Sequence, residues 1–373
     1  MKVDLHHSMK VLKSSDKYLI FSSEEVGRKY IYKIARQSND KLAEEVNRIN
    51  ALRQNYPSMK ERLPEIYESG EFKSGIYKGM GFYTQTCFPG MTFSHYIQTN
   101  LFEPEKLSKT FQKIITILTD MVAEHHFLPE WDKKSGDFLK QAVQSELNRF
   151  TKLKNISYLC ELNEIIINGQ SYQSFAKTLD IIFHSKIFND LNAQPSFISA
   201  LGHWNFHGDN VILGESENIE EFKVIDPDIS IGDCDPLFGI ARFLYSFPHD
   251  TADYIQYINF SKVFLPSAET PVEFRVRSLW PEAVHQNYQR LFCSFYEKDG
   301  LVMAEMDSRY KKGHLLNRLK LCFLYCLMRG VSANYREEIE FIDGRITEFR
   351  NKSIFLYLQA LMFANHLSEE MHA

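Results

Sequence analysis

Hydrophobic and polar positions follow two different patterns along the chain. Between residues 18 and 83, short runs of β-branched and aromatic residues alternate with polar turns around one helical stretch. Beyond residue 90, hydrophobic residues recur at helical spacing. Over residues 104–126 the apolar face consists of Leu107, Phe111, Ile114, Ile115, Leu118 and Val122. Strands repeat every two residues and helices every 3.6, so these patterns predict a small strand-rich part followed by a larger helical part.

The strand-rich part is predicted to hold four strands and one helix. The strands cover residues 17–22, 29–35, 63–72 and 81–86. The polar segment 22–27 makes the first two strands a hairpin. The helix begins at Asn39 or Asp40, residue types that favour the N-cap. Its apolar stripe is Leu42, Val46, Ile49 and Leu52. The last strand leads into a Pro-Gly segment at residues 87–90, which predicts the connection to the helical part.

The helical part is interrupted by a single island of strands and loops. Helices are predicted from residue 104 to about residue 186, and again from residue 281 to the C-terminus. The island between them, residues 197–235, holds the densest cluster of polar side chains. It is therefore the first place to look for chemistry.

Composition limits the classes of function. With 373 residues, 44% of them hydrophobic, the chain has enough material for two separate cores. The net charge of -5 gives no basic excess for nucleic acid or an anionic membrane, which leaves a small molecule as the expected partner. The six cysteines form no CxxC pair, residues 1–13 have no apolar segment, and no run of eighteen apolar residues occurs. These features predict a cytoplasmic protein that is neither exported nor membrane-spanning.

The island contains two motifs separated by a short turn. Residues 201–213 have the sequence L-G-H-W-N-F-H-G-D-N-V-I-L, and residues 222–228 the sequence F-K-V-I-D-P-D. These motifs resemble those of the aminoglycoside phosphotransferase and choline kinase family, whose pattern is H-x-D-x-H-x-x-N before an apolar strand, then a second strand ending in I-D-x-D or I-D-x-E. The matching positions are His203, His207, Asn210, Asp226 and Asp228. Asn205 departs from the pattern, because it stands where the family has its catalytic aspartate.

The resemblance implies an α+β, bilobal, protein-kinase-like fold that binds ATP and Mg²⁺. Its small β-rich N-lobe would span residues 1–86, its hinge residues 87–90 and its large, mainly helical C-lobe residues 91–373. Phosphoryl transfer requires an amide oxygen and a carboxylate to meet on a magnesium ion that bridges the phosphates. By resemblance these ligands are Asn210 and Asp226, with Asp228 as a further candidate. The catalytic group of the loop would comprise His203, Asn205 and His207.

The N-lobe should then supply a lysine on a strand and a glutamate on the following helix, since this ion pair orients the α- and β-phosphates. Lys33 and Glu45 occupy such positions, and Glu44 is the alternative acidic partner. Further nucleotide contacts are predicted by resemblance. The phosphate-covering loop would contribute Ser22 and Ser23, Ile34 would contact adenine, and the connection would offer backbone groups at Thr86, Cys87 and Phe88.

A second departure from the family lies downstream. Residues 232–241, G-D-C-D-P-L-F-G-I-A, resemble the element G-D-P-x-x-D-L-A, whose second aspartate supports the backbone of the catalytic loop. That position is Gly239 here. The residue that supports the catalytic loop in the family is therefore absent at this position.

Three hypotheses about function follow from Asn205. An amide can orient a hydroxyl but cannot take its proton, so an ATP-dependent kinase for a small hydroxylated molecule would be slowed, on the order of 10² to 10³. The chain could instead be a pseudokinase, which binds nucleotide or performs a different transfer reaction. The third possibility is an introduced asparagine in an ordinary kinase. Asp209 is an alternative proton acceptor two residues beyond His207.

The identity of the acceptor molecule is only weakly indicated. Candidate specificity residues in the helical part carry both charges: Glu273, Arg275, Arg277, Trp280, His314 and Arg318. A strongly acidic pocket for a polycationic aminoglycoside is not evident among them. A neutral or anionic hydroxylated metabolite is favoured.

Overall fold

The fold is described from a computed structural model. The described residues are 10–14, 17–25, 27–36, 40–100, 103–123, 135–154, 156–193, 202–214, 221–227, 235–246, 261–264, 273–278, 312–335 and 346–372. Among the predicted site residues, Asp228 lies outside these ranges.

The amino-terminal part is built on a five-stranded antiparallel sheet. Its strands are β1 (Lys10–Ser14), β2 (Tyr18–Glu25), β3 (Arg28–Ala35), β4 (Ile66–Glu71) and β5 (Gly81–Thr86). They lie in the order β1-β2-β3-β5-β4. Because β5 lies between β3 and β4, side chains of β3 and β5 meet at the centre of the sheet. The prediction of β5 is confirmed to the residue.

The hairpin between β2 and β3 is tighter than the sequence predicted. The strand register places Tyr18 opposite Ala35 and Glu25 opposite Arg28, so only two residues connect the strands. Gly27, the second of these, has a φ of 73°. Such a conformation suits a two-residue hairpin turn, which follows the twist of its strands. Ser22 and Ser23 therefore lie within β2, and the prediction that they belong to a loop was wrong.

One helix packs across this sheet, as predicted. Helix α1 (Asp40–Asn55) buries its stripe of Leu42, Val46, Ile49 and Leu52. Its first half joins Ala35 and Tyr83 in a small core on one face of the sheet, while Phe21, Tyr32, Ile34, Phe72 and Phe82 form a second core on the other face. Its last turns and the short α2 (Pro57–Arg62) contribute instead to the large core of the helical part. The amino-terminal part is thus a separate lobe that is anchored through α1.

The remainder is mainly helical. Its helices are α3 (Phe93–Thr99), α4 (Pro104–Ala123), α5 (Ser135–Phe150), α6 (Ser157–Glu161), α7 (Phe175–His184), α8 (Lys186–Ala193), α9 (Leu237–Ser246), α10 (Lys312–Asn334) and α11 (Ile346–His372). They share one large core, to which α4 contributes its predicted face of Leu107, Phe111, Ile114, Ile115 and Leu118. The α+β architecture, a small β-rich lobe and a larger helical lobe, is confirmed.

The helical stretches predicted up to about residue 186 are present, but a hairpin that was not predicted separates α6 from α7. Strands β7 (Glu164–Ile167) and β8 (Gln170–Gln173) are joined by Asn168 and Gly169, both at positive φ. An Asn-Gly pair between strands is the usual sequence of a type I′ turn, and this signal was missed. Two further strands, β11 (Ser261–Phe264) and β12 (Glu273–Ser278), extend the sheet in the order β11-β12-β7-β8.

A small sheet joins the connection between the lobes to the island of polar residues. Strand β6 (Met91–Thr92) pairs with β9 (Val211–Leu213), which pairs with β10 (Lys223–Val224). A 3₁₀ turn, Gly208–Asn210, leads directly into β9. The strand pairing fixes the island beneath the connection at residues 87–90.

Gly90 makes that close packing possible. Its φ is 143°, and a Cβ atom added there would lie 1.8 Å from the carbonyl oxygen of Leu213. We expect Gly90→Ala to destabilise the protein by about 2–3 kcal/mol, since a backbone atom cannot move aside as a side chain can. Chemical denaturation would measure the change. Gly75→Ala is the matched control, because Gly75 also has positive φ but no atom within 4 Å of the added carbon. Equal losses for the two variants would contradict the packing argument.

No helix among the described residues has the length and apolar character needed to cross a bilayer.

Candidate functional site

Lys33 is the centre of a charged cluster between the two lobes. It is buried on β3, and its Nζ lies 2.9 and 2.8 Å from the two carboxylate oxygens of Glu45. The same Nζ lies 2.6 Å from Oδ1 of Asp226, which follows β10 in the helical lobe. Residues 193 positions apart in sequence are thus joined by one ammonium group. The proposed pairing of Lys33 with Glu45 is present in the structure, and Glu44, the alternative, is exposed.

Tyr83 completes the cluster from the neighbouring strand. The register of β3 and β5 pairs Lys33 with Tyr83, so their side chains lie on the same face of the sheet. The Tyr83 hydroxyl donates a hydrogen bond of 2.6 Å to Oε1 of Glu45. The ring of Tyr18 lies 4.7 Å from the Lys33 ammonium. Both tyrosines were missed at the sequence level, because alternation along a strand gives the face of a residue but not its partner on the neighbouring strand.

The charges of this cluster shift its protonation equilibria. Burial acts to lower the pKa of Lys33, but the carboxylates of Glu45 and Asp226 outweigh burial and raise it. Burial raises the pKa of Glu45 to about 7, against the opposing effect of the Lys33 ammonium. For Asp226 burial is outweighed again, and the Lys33 ammonium lowers the pKa of this carboxyl. Lys33 and Asp226 are therefore a charged pair at neutral pH.

Asp226 has an unusual backbone conformation. Its φ is 57°, in the left-handed region that residues other than glycine rarely adopt. Its carbonyl oxygen accepts hydrogen bonds from Nδ2 of Asn205 at 2.8 Å and from Nδ2 of Asn210 at 3.3 Å. Its side chain is 48% exposed, so the carboxylate that contacts Lys33 is also open to solvent.

The side-chain amide of Asn210 is held in one orientation by two hydrogen bonds. Its Nδ2 donates to the carbonyl oxygens of both Asn205 and Asp226, and carbonyl oxygens can only accept. These two bonds fix which end of the amide is the nitrogen, and within the described part of the chain Oδ1 makes no hydrogen bond. The backbone is held too, since its N–H donates to His207 and its carbonyl accepts from Ile225.

The donor atoms fit magnesium. One carboxylate and one amide oxygen suit a small hard cation that keeps several waters and takes its other ligands from phosphates. The described residues contain no cluster of three or more histidine, cysteine, aspartate or glutamate side chains that could hold a metal by themselves.

The loop that carries Asn205 is held by aromatic packing. His203 is fully buried, its ring stacks on Phe206 with centroids 4.7 Å apart, and its Nδ1 accepts a hydrogen bond from the backbone N–H of Asn205. Phe206 also fills the space beside Gly239, where an added Cβ would lie 2.9 Å from its ring. The Phe206 ring thus packs at the position where the sequence resemblance led us to expect a supporting aspartate.

Gly202 and Trp204 depend on each other within the same loop. Trp204 is buried at a φ of 57°, an outlier for so bulky a side chain. Its indole ring occupies the space that a Cβ on Gly202 would need, at a distance of 2.0 Å.

His207 lies at the start of the 3₁₀ turn, near enough for its charge to lower the pKa of Asp226 as well.

The structure also places several other predicted residues. Ile34 lies on the opposite face of β3 from Lys33 and is fully buried in the second small core, so it is not brought to this site. Because side chains alternate along a strand, Ile31 lies on the same face of β3 as Lys33, and it is half buried. Ser22 is half buried and Ser23 is buried in the sheet, and their contact with phosphates stays a prediction.

In the connection, the backbone N–H groups of Thr86 and Cys87 already donate to Glu65 and Lys29. Phe88 lies next to them, with Lys223 over its ring. Its N–H makes no hydrogen bond to the described residues, which leaves it available to a base.

Arg318, one of the candidate specificity residues, forms an ion pair inside the helical part. It is fully buried on α10, where its guanidinium pairs with Asp235. Asp235 in turn accepts a hydrogen bond from the N–H of Leu237 and so caps α9. The pair ties α10 to the start of α9. Glu273, Arg275 and Arg277 lie on β12 and His314 on α10, while Trp280 falls outside the described residues.

Comparisons with known proteins give matches in structure only. No family model matches the chain, and no curated protein matches it in sequence. Among solved structures it is similar to aminoglycoside phosphotransferase APH(4)-Ia, with 12% identity, a TM-score of 0.49, and coverage of 98% of this chain and 93% of that one. A thermostable mutant of that protein in ternary complex with ADP and hygromycin B gives 10% identity, a TM-score of 0.49 and the same coverage. Spectinomycin phosphotransferase APH(9)-Ia, in complex with ADP and spectinomycin, gives 11% identity, a TM-score of 0.41, and coverage of 94% and 92%.

Proposed function

We propose that the chain is an ATP- and Mg²⁺-dependent phosphotransferase that acts on a hydroxyl of a small molecule. The observation that carries this proposal is the contact of Lys33 with both Glu45 and Asp226 across the two lobes. A triphosphate with its metal requires a fixed cation on one lobe and oxygen ligands for the metal on the other. Lys33, held by Glu45, is proposed to supply the cation, and Asp226 and Asn210 the oxygen ligands.

Each residue of the site has a role in this proposal. Glu45, itself held by Tyr83, fixes the Lys33 ammonium, which would exchange its contact with Asp226 for the α- and β-phosphate oxygens. Asp226 and Oδ1 of Asn210 would hold the metal. When bound, Mg²⁺ would supply positive charge that neutralises the phosphates and the leaving oxygen of ADP. The N–H of Phe88 and the side chain of Ile31 are proposed to contact the adenine ring.

Asn205 sets the chemistry of the acceptor side. Its Nδ2 is bound to the Asp226 carbonyl, so Oδ1 is the atom that could accept a hydrogen bond from the substrate hydroxyl. The hydroxyl oxygen would bond to the γ-phosphorus while the bond to ADP breaks, and the proton would pass to water. In a loose transition state the proton is removed late and a base contributes on the order of 10² to 10³ in rate, so a transfer slowed by that factor is expected without a carboxylate base.

A second candidate function is a nucleotide-binding module that does not transfer phosphate. The observation in its favour is that the Asn205 amide is already committed to the backbone of Asp226.

For the acceptor, neighbours that bind hygromycin B or spectinomycin are consistent with a hydroxylated small molecule. We propose a neutral or anionic acceptor, such as a sugar or its phosphate.

Thermal unfolding with nucleotide tests the proposal. At a concentration of Mg-ATP about 100 times its Kd, the folded state should gain about 2.7 kcal/mol, and EDTA should remove most of that gain. ADP release would then be followed with sugars, sugar phosphates, amino alcohols and aminoglycosides. Stabilisation with slow turnover on one of these classes supports the phosphotransferase. Stabilisation without turnover supports the binding module, and no stabilisation by Mg-ATP or Mg-GTP contradicts both.

A further inference from the structure

The asparagine at position 205 has a structural partner that an aspartate could not have. We infer that Asn205 is a positioning residue, whose side-chain amide fixes the carbonyl of Asp226 and through it the direction of the Asp226 carboxylate. This inference rests on the proposed function insofar as it takes Asp226 to be a metal ligand. The hydrogen bonds themselves belong to the protein without ligand.

The first step is that Asp226 needs external support. A φ of 57° costs free energy for any residue with a Cβ atom, and such conformations persist where neighbouring groups determine them. Pro227 follows directly, and a proline favours extended backbone for the residue before it. Neither Asp226 nor Pro227 therefore favours the backbone conformation observed at Asp226.

The second step is that the support comes from two amides of the catalytic loop. The bond from Asn205 to the Asp226 carbonyl, at 2.8 Å, is shorter than the bond from Asn210, at 3.3 Å. Asn210 also donates to the Asn205 carbonyl at 3.1 Å, so these three residues form a closed set of hydrogen bonds. With Lys33 on the carboxylate, both ends of Asp226 are held.

The third step is that only the amide can make the shorter bond. An ionised aspartate has no hydrogen to donate. In the same rotamer it would place a carboxylate oxygen 2.8 Å from the carbonyl oxygen, two acceptors at hydrogen-bond distance. The carboxylate would have to turn away, and the Asp226 carbonyl would keep only its longer bond. The geometry is thus built around asparagine.

The variants Asn205→Asp and Asn205→Ala test this inference. In the protein without ligand, we expect the Tm to fall by roughly 2–4 °C in Asn205→Ala, and further in Asn205→Asp. The affinity for ATP should weaken about tenfold in Asn205→Asp when Mg²⁺ is present, and should stay unchanged in EDTA. With Mn²⁺ in place of Mg²⁺, the electron paramagnetic resonance spectrum should change in parallel, because the Asp226 carboxylate proposed to bind the metal is displaced.

Asn55→Asp is the matched control. Asn55 is exposed on α1 and also donates its amide to a backbone carbonyl, that of Ala51 at 2.8 Å, so the chemical change is the same. It should leave the metal-dependent part of ATP binding unaltered. If Asn205→Asp is as stable as the parent, binds Mg-ATP equally well and turns over about 10² faster, Asn205 merely replaces a lost base and the inference is wrong. If the parent binds no Mg-nucleotide, the proposed function fails, while the order of the Tm values still decides the role of Asn205.

Discussion

Lys33→Met is expected to damage both stability and nucleotide binding. It removes the ammonium that two carboxylates share, and Glu45 would be left buried without its charged partner. Breaking a buried ion pair costs about 3–5 kcal/mol, and we expect about 3 kcal/mol because Tyr83 still donates to Glu45. Loss of the contact with the phosphates should lower turnover on the order of 10². Chemical denaturation and steady-state kinetics would measure the two effects.

Two comparisons make this prediction specific. Lys29→Met changes an exposed lysine on the same strand and should leave stability within about 0.5 kcal/mol of the parent. Glu45→Gln in the Lys33→Met background removes the uncompensated carboxylate and should restore part of the stability without restoring turnover. If the double variant is as unstable as the sum of the single ones, the two residues do not interact and the ion pair is not the cause.

Asp226→Asn is expected to have the opposite balance of effects. The substitution keeps the shape of the side chain and its backbone hydrogen bonds, but it removes the charge proposed to face the metal. Because the side chain is half exposed and Lys33 keeps Glu45, we expect a loss of stability below about 1 kcal/mol. Turnover should fall on the order of 10³, and Mg²⁺ should no longer tighten ATP binding. Calorimetric titration of ATP with and without Mg²⁺ measures this directly.

The exposed Asp180 provides a control for the loss of one negative charge. Asp180→Asn on α7 should leave both titrations unchanged, since this side chain is 73% exposed and distant in sequence from the site. If Asp226→Asn still binds Mg-ATP as the parent does, Asp226 is not the metal ligand. Asp209→Asn tests the neighbouring carboxylate separately, because a comparable loss of turnover there would favour Asp209 as the proton acceptor.

Local patterns in the sequence were enough for the elements whose signals lie within a few residues. The stripe of α1 and the bounds of β5 follow from hydrophobic periodicity, which depends only on which face of an element is buried. The same kind of local signal, Asn168-Gly169 directly after three isoleucines, marks the β7–β8 hairpin that was overlooked. Candidate site residues such as Lys33, Glu45, Asn210 and Asp226 were proposed because the order and spacing of the motifs resemble those of a known family. Their roles stay predictions until the variants are measured.

Long-range pairing decided the rest. A motif does not specify strand register, and it is the register of β3 against β5 that turns Ile34 away from the site and brings Tyr83 to Glu45. Register likewise placed Ser22 and Ser23 within β2. The role inferred for Asn205 depends on a carbonyl 21 positions away, reached only because β9 and β10 pair. Sequence determines which groups are available, whereas hydrogen-bond partners and strand faces depend on distances that exist only once the chain has folded.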